Sequence, residues 1–213
     1  MDTQTSRHAT KVLTGLKKAY PDAECSLLFR SPLELLVATI LSAQCTDVRV
    51  NKVTPELFRR FRSAEDYAAA PIEDLEELIR TTGFFRNKAK NIQNACREMI
   101  MRFDGNVPDT MEALVSLPGV GRKTANVVLS NVFGRIEGFT VDTHVFRLSH
   151  RLGLAQGKTP EKVEQELMQI FPQTEWRFLS HALILLGRQC CTARKPRCGE
   201  CPLNKVCRTK SVF

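Results

Sequence analysis

Apolar residues recur every three to four positions along most of the chain, the period of a helix with one buried face. Leu35, Leu36 and Ile40 follow Ser31-Pro32-Leu33-Glu34, a capping box with proline at the first helical position. Ser63-Ala64-Glu65-Asp66 opens a short helix, and Pro71 starts another with Leu75, Leu78 and Ile79 on one face. Residues 87–103 set Ile92, Cys96, Met99, Ile100 and Phe103 at helical spacing. Thr159-Pro160 begins a helix carrying Val163, Leu167 and Ile170, and Phe171-Pro172 ends it. Residues 175–187 are apolar on most sides, so that helix is expected to be buried. Period-two alternation is nearly absent, and Gly134 and Gly138 make residues 135–141 a loop rather than a strand. The pattern predicts an all-α protein without internal repeats or a long linker.

The 213 residues suffice for one large or two small domains, and 43% hydrophobic content suffices for a core. No apolar run approaches the roughly 18 residues of a membrane span. The longest, residues 35–43, is broken by Thr39 and Ser42. The first ten residues are polar, which argues against a signal peptide and for a protein that stays where it is made. Formal net charge is +8, which fits a polyanionic partner.

Residues 110–133 change the picture from architecture to chemistry. A short helical stretch, 111–116, meets Leu117-Pro118-Gly119-Val120-Gly121, and a helix with Ala125, Val127, Val128, Leu129 and Val132 follows. This is a helix-hairpin-helix pattern. The two glycines allow a sharp turn and close approach to another surface. The amides of Gly119, Gly121 and Arg122 then stand at a helix N-terminus, where a phosphate binds well. Arg122 and Lys123 add charge. The plainer alternative is a glycine turn between core helices. Convergence of amides, dipole and a basic pair favours sequence-independent phosphate contact.

Lys123 opens the second helix, at the positive end of the dipole. That costs a cation about 0.3–1 kcal/mol, against about 1.4 kcal/mol per pKa unit, so the dipole alone cannot make the amine a nucleophile. Desolvation or a proton acceptor must supply the rest. Asp142, in Thr140-Val141-Asp142-Thr143-His144, is an available acid. It precedes the apolar stretch of Val145, Phe146, Leu148 and Leu152 and is a natural N-cap. Capping and catalysis are compatible, since a cap fixes the carboxylate in place.

Cys191, Cys198, Cys201 and Cys207 follow the spacing Cys-x6-Cys-x2-Cys-x5-Cys. Four thiolates in so short a stretch can wrap one metal centre. A single Cys-x2-Cys knuckle argues against zinc, and irregular spacing suits a [4Fe–4S] cluster, which is the favoured reading with zinc as the alternative. Cys190 adjoins Cys191 and leaves the first ligand ambiguous by one residue. Arg194, Lys195 and Arg197 lie between the first two ligands, either as a solvated basic loop or as cations presented to a polyanionic partner. Seven Lys/Arg and one Glu in residues 188–213 favour binding.

Leu117-Pro118-Gly119-Val120-Gly121-Arg122-Lys123-Thr124-Ala125-Asn126, then Val141-Asp142-Thr143-His144, then the cysteine tail together resemble endonuclease III, the DNA glycosylase and abasic-site lyase for oxidised pyrimidines. Leu41-Ser42-Ala43-Gln44 and Thr82-Gly83-Phe84 extend the resemblance over essentially the whole chain. It implies two helical domains with a DNA cleft: a six-helix barrel over 23–135 ending in the hairpin, and a cluster domain of 1–22 with 136–213. It implies Lys123 as the nucleophile that attacks C1′ of a flipped nucleotide and Asp142 as the catalytic carboxylate. Gln44 matches the residue that fills the vacated space, and Phe84 matches the wedge, against a plainer reading as core packing. His144 falls among the DNA contacts. The cluster is expected to shape its loop rather than perform chemistry. The implied partner is duplex DNA with a damaged pyrimidine or abasic site, met by a monomer in the cytoplasm at the nucleoid, with no membrane. The related adenine glycosylase typically lacks a lysine at the Lys123 position. Cys45, beside Gln44, and Cys190 depart from the family pattern.

Overall fold

Short helices need their ends satisfied, and the caps seen in the sequence do this. In the computed structural model, which describes residues 3–209, Ser31 Oγ accepts the Glu34 amide at 3.2 Å. Glu34 reaches back one residue further than a capping box requires, to the Arg30 amide at 2.6 Å. The complete box forms at Ser63 instead: its Oγ accepts the Asp66 amide at 3.2 Å, and Asp66 Oδ2 accepts the Ser63 amide at 3.1 Å. Thr46, Thr110 and Thr159 each cap with their hydroxyl oxygens.

The described residues form eleven α-helices: α1 Thr3–Ala19, α2 Pro32–Leu41, α3 Asp47–Arg60, α4 Ala64–Ala69, α5 Ile72–Ile79, α6 Phe85–Phe103, α7 Met111–Val115, α8 Arg122–Val132, α9 Thr143–Leu152, α10 Pro160–Ile170 and α11 Trp176–Gln189. No strand occurs among them, so the protein is all-α. None of the described helices is long and apolar enough to cross a membrane. Residues 135–141 are a loop.

The chain divides into two compact units, residues 25–135 and residues 3–24 with 136–209. Met1, Asp2 and residues 210–213, which the sequence assigns to the second, lie outside the described residues. In the first unit α2 is buried from Leu35 to Leu41 and packs with α3, α6 and α8. Its core includes Leu57, Tyr67, Leu75, Met99, Leu114 and Leu129. In the second, α11 packs on α9 and α1 around Val12, Leu16, Phe139, Leu148, Leu179 and Leu183. Leu179, Ala182, Leu183 and Leu186 of α11 are buried, as its apolar composition requires.

Leu57 is fully buried and Leu28 is 63% exposed. Leu57→Ala should cost about 2–5 kcal/mol in urea unfolding through transfer and cavity terms, and Leu28→Ala less than about 0.5 kcal/mol. Equal losses would refute the assignment of Leu57 to the core.

Candidate nucleic-acid interface and thiolate centre

The hairpin lies in the unit of residues 25–135, between α7 and α8. Its two glycines play different parts. Gly119 has φ +78°, and a Cβ there would stand 2.7 Å from Asn91 Cβ, so the turn requires glycine. Gly121 has φ −92° and ψ 173°, extended backbone open to any residue, and nothing lies within 4 Å of a Cβ. The expectation that both glycines serve the turn is therefore corrected: only Gly119 does. At Gly121 α8 begins without a side-chain cap. Glycine has no side chain to cap with, and this is the helix end where an anion is favoured. Arg122 and Lys123 are both exposed on that first turn.

Two other exposed residues of this unit share an unusual backbone. Gln44 has φ +52° and Phe84 has φ +48°. Among the described non-glycine residues only Asp104, which ends α6, joins them on the left-handed side. Such a conformation costs about 1–3 kcal/mol and persists where surrounding structure holds it, often at a functional site. Phe84 is 65% exposed, so core packing is not its role. It stands immediately before α6, which begins two residues earlier than the apolar pattern indicates, because the Phe84 carbonyl already accepts the Lys88 amide at 3.1 Å.

Asp142 belongs to the other unit and caps α9. Its Oδ1 accepts the amides of His144 and Val145, both at 2.8 Å, so the cap draws on one carboxylate oxygen and leaves Oδ2 outside it. His144 is half-buried, with Nδ1 3.2 Å from Arg147 Nη2. Burial holds its pKa below the ordinary histidine value. The Asp142 charge works the other way, and the cations of Arg147 and Arg188 add to the lowering. The ring is therefore biased toward neutral, free to accept from Arg147.

In the same unit Cys191, Cys198, Cys201 and Cys207 line one pocket, together with Cys190 and apolar side chains including Leu148, Leu152 and Leu186. None of the eight cysteines, all among the described residues, is in a disulfide. Burial pushes Cys201 up to about 12 and also raises Cys190. A bound metal centre reverses this logic, because its positive charge holds its ligands as thiolates. The donor set, four thiols facing one largely apolar cavity, fits an iron–sulfur cluster. The five sulfurs are not equivalent. Cys190 Sγ donates to the Arg197 carbonyl at 3.2 Å, whereas Cys191 Sγ accepts from Arg151 Nη1 at 3.3 Å. Arg151 also donates to the carbonyls of Thr192 and Ala193, at 2.7 and 2.8 Å, and so ties α9 to the start of the cysteine loop. Its place in the sequence, a cation in the last turn of a helix, gives no hint of this. Arg194 and Lys195 are exposed, while Arg197 pairs with Glu200 at 2.9 Å.

Residues 37–173 match the family described as HhH-GPD superfamily base excision DNA repair protein, and this sets the class. Residues 191–207 match the iron-sulfur binding domain of endonuclease III, so the match opens on Cys191 and closes on Cys207. The chain is 57% identical to endonuclease III of Synechocystis sp. over 94% of this chain and 92% of that protein. It is 43% identical to endonuclease III of Escherichia coli K12 over 94% of each. Two solved structures, a non-covalent endonuclease III–DNA complex and a trapped endonuclease III–DNA covalent intermediate, superpose with TM-score 0.93 at 46% identity. They cover all of this chain and 98% and 99% of those chains. The chain belongs to the endonuclease III family. It is a base-excision DNA glycosylase with abasic-site lyase activity, and its family carries a [4Fe–4S] cluster.

The glycine geometry orders two substitutions. Gly119→Ala should lower stability by more than about 1 kcal/mol and weaken duplex binding, since it meets both a left-handed φ and Asn91. Gly121→Ala should cost less than about 1 kcal/mol, a change of cap only. Urea unfolding in the reverse order would overturn the distinction.

Proposed function

We propose that this protein excises oxidised pyrimidines from duplex DNA and then cuts the abasic strand through an imine on Lys123. What carries this reading is a primary amine exposed on the uncapped first turn of α8, directly after a turn built on Gly119, in a chain similar to an endonuclease III trapped covalently on DNA. The Lys123 nitrogen attacks C1′ and the C1′–N bond breaks, its electron pair leaving with the base. The ring then opens to an imine. Loss of a proton from C2′ expels the 3′ phosphate oxygen, which cuts the strand by β-elimination. Lys123 is exposed in the free chain, so the desolvation that a nucleophilic amine needs is supplied by DNA when it covers α8.

Asp142 is the carboxylate that takes up the amine's proton and offsets positive charge developing on the sugar, acting through Oδ2, which the cap does not use. The α8 amides, Gly119, Gly121 and Arg122 hold backbone phosphates. Gln44 and Phe84 fill the gap left by the flipped nucleotide, His144 backs the strand beside Asp142, and Arg194, Lys195 and Arg197 meet phosphates across the cysteine loop. The unit of residues 25–135 thereby carries the hairpin, the gap-filling pair and the amine, and the other carries the carboxylate, the cluster and the basic loop. The protein works as a monomer at the nucleoid.

Cys191, Cys198, Cys201 and Cys207 hold the cluster. The match that begins at Cys191 and ends at Cys207 supports this set. When bound, the cluster supplies four fixed attachment points for the loop. Arg151 positions the sulfur of Cys191, and the apolar wall excludes water from the thiolates.

Lys123→Gln should abolish strand cleavage and borohydride trapping on abasic DNA while keeping duplex affinity within about threefold, because phosphate contacts set affinity. A trapped adduct with this variant would exclude Lys123 as the nucleophile. Cys191→Ser should lose the visible iron–sulfur absorbance and Cys190→Ser should keep it. The opposite pattern would make Cys190 the first ligand.

A further inference from the structure

Lys88, on the second turn of α6, is only 4% exposed. A buried ammonium near the positive end of a helix is doubly disfavoured, by desolvation and by the dipole. It survives because Nζ donates to two carbonyls, Leu41 O and Thr82 O, both at 2.8 Å. Those acceptors are not ordinary. Leu41 ends α2, and Thr82 ends the short 3-10 turn Arg80–Thr82, so each carbonyl belongs to the set a helix leaves unsatisfied at its C-terminus. The two acceptors are far apart in sequence, yet one ion holds both. Lysine suits this task because its head carries three donors and no acceptor.

The neighbours of each carbonyl give the arrangement its meaning. Three residues after Leu41 comes Gln44, and two residues after Thr82 comes Phe84. Both are exposed, and both hold the left-handed backbone at which their loops turn. Neither conformation holds itself, because each costs about 1–3 kcal/mol. Each loop therefore needs an anchor at its root, and both are anchored by the same nitrogen.

We propose that Lys88 is a positioning residue that fixes the Gln44 and Phe84 loops in register with each other, so that the two side chains enter the DNA stack as one preassembled unit. This rests on the reading of Gln44 and Phe84 as the gap-filling pair. A flipped nucleotide costs a few kcal/mol of stacking and pairing, and filling groups offset that cost best when they are already placed. Lys88 touches neither DNA nor the reacting atoms. It acts through the two backbones.

The experiment compares Lys88→Met with the parent on two substrates: a duplex with a single oxidised pyrimidine, and a single-stranded abasic oligonucleotide read by borohydride trapping. The single strand has no orphaned base and no stack to fill. Lys88→Met should slow single-turnover base release from the duplex by about 10- to 100-fold, the scale of an ångström misplacement, and leave the trapping rate within about twofold. Should Lys88→Met not accumulate as helical protein, Lys88→Gln keeps a donor but is too short to bridge both carbonyls, and is read by the same split. An unchanged duplex rate, or equal loss on both substrates by a folded variant, overturns the proposal. Gln44→Ala and Phe84→Ala are run beside it. If they slow duplex base release and Lys88→Met does not, only the positioning role fails. If neither affects it, the gap-filling reading itself fails.

Discussion

Every α-helix leaves four amides and four carbonyls without partners, and in this chain that deficit is where function is built. Eleven short helices among the described residues create many ends. Five begin by ordinary means, a serine or threonine oxygen on an amide. Three other ends carry the proposed chemistry. Gly121 leaves the start of α8 without a side-chain cap, and Lys123 rides on that turn. Asp142 closes α9 with one carboxylate oxygen and has another to spare. Cys190 ends α11, and the cysteine loop begins there. An all-helical scaffold has few other places to put fixed polar geometry, because helix interiors consume their own backbone groups.

The same constraint explains how strain is tolerated. Gln44 and Phe84 stand outside the comfortable backbone regions for side-chain-bearing residues, and both are exposed, so neither is held by burial of its own side chain. The compensation is in the layer beneath. There α2 is buried from Leu35 to Leu41, and α6 buries Lys88, Ile92, Cys96 and Met99. Core packing fixes the helix ends, and the helix ends fix the loops. The cysteine pocket follows a related logic with the sign reversed. Burial there resists thiolate formation, as Cys201 shows, and it takes a cationic centre to make the anionic form the stable one.

Much of this is legible in the residues, for reasons that differ by element. Ser63, Thr159 and Asp142 announce helix starts because a short polar side chain before an apolar stripe has few better uses. Gly119 is legible for the same kind of local reason. Helices α1 and α3 give weaker signals: α3 carries Pro55 within it and buries only Val50, Thr54 and Leu57. The exposure of Phe84 is not legible, because an aromatic beside a glycine reads equally as core or as wedge until the backbone conformation is known. Glu34 capping Arg30 rather than Ser31 turns on a one-residue difference in reach that no pattern encodes. The burial of Lys88 is hidden because a lysine in an amphipathic helix ordinarily faces water. The hint is its register: it lies four before Ile92 and on the same stripe as Cys96 and Met99.

The two lysines show why a perturbed pKa is an unreliable guide to a nucleophile. Burial pulls Lys88 below the ordinary lysine value, with neighbouring Cys45 working the other way, so by that criterion alone it is the reactive amine. Its geometry says otherwise. Two carbonyl acceptors at 2.8 Å stabilise the protonated head, and a 4% exposed residue offers no path for a sugar carbon to approach. Lys123 has the complementary properties. It is open to a substrate and sits where the helix end already disfavours its charge. On the proposed reading it becomes reactive when DNA displaces the water around it, so the substrate itself completes the activation. The buried lysine carries its desolvation permanently and is useful as a strut. The exposed one acquires it transiently, and that transience is what suits it to chemistry.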